Sequence, residues 1–266
     1  MLLCLLTGIS ASRPQKQHDL ISNIELFKIK NGEINFDANN FLYLSKMNEY
    51  EMLGSKYLDS QKDGGFCIGI HPGSKAKEKW WASEKFSGLA RSILQKYPKA
   101  RFLLFGGGAE LSLMQEVQHG IGPQAKLAGN LSLSQTAWLI QQCTLFIGND
   151  SALTHIAGVS GVPAVVVFGP SDPERVAPVG HKTIIIRKEY PCSPCSDTVP
   201  DILASCRYKL KCMDSFKAED AASVVVKYLE GILSGNSDMD ITGFKALLTV
   251  ASMRFLQTGA LVINLD

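Results

Sequence analysis

Asn149, Asp150 and Ser151 stand together just beyond an apolar run at 144 to 147, separated from it by Gly148, and His155 follows about one helical turn later. Short oxygen-bearing side chains at the solvent end of a buried strand are the residues that begin helices, because their oxygens accept from the first N–H groups. A helix that opens there is also an anion site, since its first N–H groups have no partner within the helix and its dipole is positive at that end. The spacing points to a phosphate or diphosphate held on the backbone N–H groups of Ser151 and Ala152, with His155 on the same face. Helix capping alone would account for Asp150, and a satisfied helix histidine for His155. Gly161-Val162-Pro163 ends the helix, and Ala164 to Phe168 reads as the next, fully buried strand.

A second group of chemical residues lies upstream. His71-Pro72-Gly73-Ser74 closes the apolar run from Phe66, and a hydroxyl such as that of Ser74 in a loop at a strand end can reach a phosphate oxygen. Lys75, Lys77 and Lys79 follow as a short basic run, either a solvated face or a counter-charge for an anionic ligand. Gly106-Gly107-Gly108 has the look of a phosphate loop, yet close backbone packing explains a bare glycine run equally well. Cys192, Cys195, Cys206 and Cys212 are spaced so that four thiolates could hold Zn²⁺ as a structural ion; two disulfides and reduced, buried thiols are the other readings.

These residues need a scaffold, and the pattern supplies one. From Phe66 onward strands and helices alternate: a strand to His71, a helix from Ser83 to Tyr97 capped by Ser83, and a strand from Arg101 to Phe105. A helix from about Ala109 to His119, a short strand at Leu127-Ala128 before Gly129-Asn130, and a helix from Ser134 to Gln142 capped by Ser134 come next. The pattern predicts an α/β fold with a Rossmann-like parallel sheet covered on both faces and ligands at the C-terminal strand ends. The 266 residues, 45% hydrophobic and 20% charged with a net charge of +2, allow one or two domains with a sizeable core and carry no nucleic-acid-binding stripe. Ile241 to Ile263 is apolar, but Lys245, Arg254 and Gln257 break it within the ~20 residues that a membrane span needs, so it reads as a packed or surface-bound helix.

Taken in order, His71-Pro72-Gly73-Ser74, Lys79-Trp80-Trp81, Asn149-Asp150-Ser151 with His155, and Phe168-Gly169-Pro170-Ser171-Asp172-Pro173 resemble the C-terminal half of glycosyltransferase family 9, the ADP-heptose:lipopolysaccharide heptosyltransferases. The resemblance covers roughly residues 64 to 230, with a weaker match at Lys16-Gln17-His18-Asp19. It implies the C-terminal domain of a GT-B architecture, in which two Rossmann-like domains face each other across a cleft. About 60 residues precede the matched domain, where a βαβ unit alone takes ~30 or more. The expected organisation is therefore a remnant of the acceptor domain over 1–60, a nucleotide-sugar-binding domain over 61–235 and a helical tail over 236–266, from a truncation, a gene fragment or a miscalled start. Met1 to Ser10 lacks the basic n-region of a signal peptide and reads as an internal strand of the missing domain.

The resemblance also implies roles. Lys79 would neutralise charge on the leaving diphosphate, although Ala82 stands where the family has proline, and Lys75 or Lys77 would serve if the register were shifted. Asp150 would lie against the donor sugar, with Asn149, Ser151, Ala152, His155 and Ser74 around the diphosphate and Gly129 near the base or ribose. The implied reaction is inverting, metal-independent transfer of a heptose from ADP-heptose to the lipopolysaccharide inner core, in the cytoplasm beside the inner membrane, without a cofactor. The general base, an aspartate of the first domain, cannot be placed on Asp19, Asp37 or Asp59. The other readings are a non-catalytic nucleotide-sugar-binding remnant and a nucleotide-sugar epimerase, whose histidine and glutamate arrangement is not found.

Overall fold

Alternation within each strand divides the apolar residues between two faces of one sheet. In β1 (Cys67–His71), Ile68 and Ile70 enter one core while Cys67 enters the other; in β2 (Arg101–Phe105), Phe102 and Leu104 oppose Leu103 and Phe105. The same division runs through β5 (Ala164–Phe168) and β6 (Thr183–Arg187). Strands buried on both faces read as nearly continuous apolar runs, which is why the sequence pattern locates them well. A computed structural model describes residues 51–58, 64–180, 182–195, 201–235, 250–256 and 259–265. The expectations for Met1 to Ser10, Lys16 to Asp19, Asp37 and Asp59 lie outside the described residues.

With β3 (Ala125–Ala128) and β4 (Leu145–Asn149), the sheet runs in the order β3-β2-β1-β4-β5-β6-β8-β7. Every pairing is parallel except the antiparallel β7 and β8. The chain thus leaves β1 toward β2 and β3, then returns to β1's other side at β4. The crevice between β1 and β4 is the topological switch point at which open α/β sheets bind ligands.

One face is covered by α2 (Ser83–Lys96), α3 (Leu111–Ile121) and α9 (Ala218–Leu233); the other by α1 (Glu51–Leu58), α4 (Leu133–Gln141) and α5 (Ala152–Val159). The expected Ser83 cap does not form: Ala82 is the capping residue of α2, and the Ser83 hydroxyl donates to Glu116 instead. A cap is worth ~1 kcal/mol. Burial of Phe86, Leu89 and Ile93, at ~1.5–3 kcal/mol each, outweighs it and sets α2 without one. Likewise Ser132, not Ser134, caps α4: its Oγ accepts from the Gln135 N–H at 3.2 Å while Gln135 Oε1 accepts from the Ser132 N–H at 2.9 Å. After Gly106-Gly107 the chain makes a 3₁₀ turn at Gly108–Glu110 before α3, so that helix begins later than expected.

The described end of the chain departs most from expectation. In place of a helix there are two strands, β7 (Val250–Phe255) and β8 (Leu261–Leu265), joined through Gly259 at φ +82°. β8 inserts between β6 and β7, so Leu261, Val262 and Ile263 are buried on both faces. A short run of that kind cannot be told from buried helix by periodicity, and the central position in the sheet decides it. Val250–Phe255 and Leu261–Leu265, within the segment expected as a helical tail, therefore belong to the same sheet as β1 to β6. Three short helices, α6 (Pro173–Val176), α7 (Ile202–Ser205) and α8 (Lys211–Asp214), and a 3₁₀ turn at Lys77–Lys79 complete the described elements. Among the described residues no helix is long and apolar enough to cross a membrane.

Candidate functional site

The C-terminal ends of β1, β4 and β5 bring the polar motifs together. Asn149, the last residue of β4, is fully buried and cross-links the loop after β1: its Nδ2 donates to the Pro72 carbonyl at 2.6 Å, and its Oδ1 accepts from the Trp81 N–H at 3.1 Å. Its role is therefore to fasten the 72–81 loop over the strand ends. Trp81 anchors that loop from below, stacked on Phe216 at 5.3 Å and edge-on to Phe86 at 5.0 Å. Ala82 has φ −60° and ψ 143°, with φ at the value that proline would fix, so the loop keeps its course without the proline that the resembled pattern has there.

Asp150 is the centre of the cluster. Its Oδ2 receives the Lys79 ammonium at 2.6 Å and the Ser171 hydroxyl at 2.6 Å, and its carbonyl accepts from the Ser74 hydroxyl at 2.9 Å. The carboxylate is engaged by these donors and does not cap α5, whose capping residue is Ser151. The structure also chooses among the lysines. Lys79 meets Asp150, whereas Lys77 lies over the Trp80 ring and Lys75 is exposed. The Asp150 side chain is 7% exposed and that of Lys79 24%, so the pair is shielded on the carboxylate side and open to solvent on the lysine side. Such a pair has strong local electrostatics and modest net stabilisation, because desolvation offsets much of the attraction.

At the mouth of α5 the expectation needs one correction. The Ser151 N–H is not free for a ligand: it donates to Thr154 Oγ1 at 3.3 Å. Ala152 is exposed in the first turn, and His155 is half-buried in the same helix. The Ser151 hydroxyl faces His71, with Oγ at 2.9 Å from Nδ1, while Nε2 of His71 lies 3.3 Å from Glu110 Oε1. Glu110 also accepts from the Gly107 N–H at 2.8 Å. The hydrogen bond from His71, helped by the one from Gly107, holds the Glu110 carboxyl below its ordinary range against the opposing effect of burial. Glycine at 73 makes room for this: a Cβ there would lie 1.9 Å from Glu110 Oε1. Gly129 follows β3, on the far side of β2 from β1, and packs near Met114 rather than in the Asp150 cluster.

Three participants, His71, Glu110 and Ser171, were not singled out as site residues from the sequence. His71 and Ser171 lie at or just beyond the C-terminal ends of β1 and β5, so listing polar residues at strand ends would have found both. Glu110 carries no such signal, because its contact with His71 depends on how the 3₁₀ turn folds back.

Residues 6–202 match glycosyltransferase family 9 (heptosyltransferase), about three quarters of the chain. The chain belongs to glycosyltransferase family 9. Among curated family 9 relatives, the lipooligosaccharide heptosyltransferase 2 of Haemophilus influenzae is 31% identical over 129 residues, covering 46% of this chain and 36% of the relative. The lipopolysaccharide heptosyltransferase 2 of Escherichia coli is 29% identical over 128 residues, covering 46% and 35%. The likeness thus spans about a third of these relatives' length. The fold resembles the family 9 glycosyl transferase of Veillonella parvula, with TM-score 0.64 and 22% identity over 87% of this chain and 65% of that one. It also resembles E. coli ADP-heptose lipopolysaccharide heptosyltransferase II, with TM-score 0.56 and 21% identity over 73% and 54%.

The cysteine motif of this family 9 chain comes together without forming a metal centre. Cys192, Cys195 and Cys206 line a cavity of about 340 Å³ with Tyr208 and Arg207, and Cys212 lies behind them close to Gly169. Among the described residues, no group of three or more histidine, cysteine or acidic side chains has the arrangement to hold a metal ion, and these four cysteines are thiols rather than disulfides. Burial, reinforced by the neighbouring thiols, pushes Cys212 up to about 11 and raises Cys195 in the same direction.

Proposed function

We propose that this chain carries the donor-binding half of a heptosyltransferase: the ends of β1 and β4 take the diphosphate of ADP-heptose, whose heptose passes with inversion to the lipopolysaccharide inner core. The single observation that carries this reading is the Lys79–Asp150 ion pair at the switch point, ringed by the hydroxyls of Ser74, Ser151 and Ser171. The names of the curated relatives support the substrate class.

In the transfer, an acceptor oxygen forms a bond to the anomeric carbon on the face opposite the diphosphate, and the bond from that carbon to the diphosphate oxygen breaks with its electron pair. Negative charge therefore grows on the departing ADP. Lys79, open to solvent on one side, would meet that growing charge, and the first turn of α5, where Ala152 is exposed, would add its dipole. Together they supply the positive charge that other enzymes draw from a divalent ion. Asp150 holds the ammonium in place from the sugar side, fixed by Ser171. The acceptor's proton goes to a carboxylate that the family resemblance assigns to the first domain. The acceptor points to a location at the cytoplasmic face of the inner membrane.

Calorimetric titration of ADP, with UDP as the comparison, tests the donor half. Saturable binding that prefers ADP and weakens about 10- to 100-fold in Lys79→Ala supports it, the loss of a charge-assisted contact being worth ~1.5–3 kcal/mol. A folded chain that binds neither nucleotide overturns it. A second reading, binding without transfer, has one observation in its favour: every side chain of the cluster comes from residues 71–171. Release of ADP from ADP-heptose when a lipopolysaccharide acceptor is added separates the two.

A further inference from the structure

His71, Ser151 and Glu110 form a buried relay from three separate parts of the chain. His71 is 5% exposed and Ser151 9%, and the Glu110 side chain 18%. An ionised carboxylate can only accept, so the ring nitrogen facing Glu110, Nε2, must carry a hydrogen. In the neutral ring Nδ1 is then a bare lone pair. The Ser151 hydroxyl, 2.9 Å away, donates to it and so turns only lone pairs toward the mouth of α5. That arrangement repels an anion at the place where the helix end attracts one.

We infer that His71 takes up a proton from solvent when a diphosphate binds at the mouth of α5, and that this proton turns Ser151 from acceptor to donor. Protonated at Nδ1, the ring donates to Ser151 Oγ; the hydroxyl hydrogen rotates outward to a phosphate oxygen, and one positive charge is added beneath the diphosphate. Glu110 stabilises the imidazolium from the other side. The titratable groups on the elements packed around His71 are Glu110 after β2, the Lys79–Asp150 pair joining the β1 loop to β4, and His155 on α5. Lys79 and Asp150 neutralise each other, which leaves Glu110 as the charge in direct contact with the ring. His71 and Glu110 are thus positioning residues for Ser151. The inference rests on the diphosphate reading above and adds to it a proton-linked affinity.

The test is calorimetry of ADP binding to the full chain at mildly alkaline pH, where free ADP is fully ionised, in two non-phosphate buffers of low and high ionisation enthalpy. The expected result is a buffer-dependent enthalpy equivalent to uptake approaching one proton per ADP, with affinity falling by up to about tenfold per pH unit as pH rises. His71→Asn, whose amide N–H is a permanent donor toward Ser151, binds ADP with no proton uptake and a flat pH profile. Gly73→Ala, which forces Glu110 away without altering a titratable group, diminishes the uptake. Equal enthalpies in the two buffers for the unmodified chain, or undiminished uptake in a folded His71→Asn, overturn the inference alone. Absence of ADP binding by the folded chain overturns the diphosphate reading and the inference with it. If either variant fails to fold, the buffer comparison on the unmodified chain still decides.

Discussion

The Asp150 cluster and the four-cysteine cluster flank the same short segment, Gly169 to Ser171, and the chain treats them in opposite ways. On one side Ser171 donates to Asp150, which is paired with Lys79 and opens to solvent through it. On the other, Cys195 donates its N–H to the Pro170 carbonyl and the Ser193 hydroxyl donates to the Gly169 carbonyl, in surroundings whose burial pushes the Cys195 thiol up. Both groups have ligand-like spacing in the sequence. What separates them is partner chemistry: carboxylate, ammonium and hydroxyls complement one another, whereas Cys195 and Cys212 are raised first by burial and then by the neighbouring thiols. Residue type at a suggestive spacing becomes a site when the fold surrounds it with the complementary charge.

The largest expected effect lies beneath the charged side. Trp81→Ala removes the buried anchor of the 72–81 loop and should cost about 3–5 kcal/mol in urea denaturation. Trp81→Phe should cost far less, since the indole N–H has no hydrogen-bond partner to lose. Ser171→Ala, which cuts one support of Asp150 on the shared segment, should weaken donor binding about tenfold, a charge-assisted hydrogen bond being worth ~1.5–3 kcal/mol. The double substitution Cys192→Ser with Cys195→Ser, or dialysis against a chelator, should change ADP affinity by less than about twofold; a loss comparable to that of Ser171→Ala would show that the thiol side also sustains the site and would break the comparison.

Glu110 gives the charged side a dependence on pH. Its carboxyl is held below its ordinary value of 4.5 in the fold, so its contribution to stability is present above that value and is lost as pH falls through the lower folded value. The stability difference between the unmodified chain and Glu110→Gln, followed by thermal melts, should be constant near neutrality and vanish in acid below about 4.5. The smallest effect is a gain: Ala82→Pro fits the existing backbone and should stabilise by about 0.4–1 kcal/mol through the unfolded chain.

Much of the site was legible because its determinants are local. The apolar runs of β1, β4 and β5 mark the strands whose ends carry Ser74, Asn149, Asp150 and Ser151 and bring Lys79 to Asp150, although Asn149 fastens the loop after β1 and the Ser151 N–H is taken by Thr154. Caps were less legible. Ser132 and Ser134 are both plausible from type, and only the reciprocal contact with Gln135 distinguishes them. The end of the chain was misread because Leu261 to Ile263 is apolar in the way that either a buried helix or a central strand must be.

By itself the sequence determined the alternation of strands and helices, the family, and the positions at which polar residues meet strand ends, since each depends on neighbours within a few residues. Tertiary structure alone decided that β8 inserts between β6 and β7, that Lys79 rather than Lys75 or Lys77 meets Asp150, and that His71 reaches Ser151 across 80 positions and Glu110 beyond it. Strand order and burial set those outcomes, and both depend on which distant segments compete for the same place in the sheet, which no local pattern encodes.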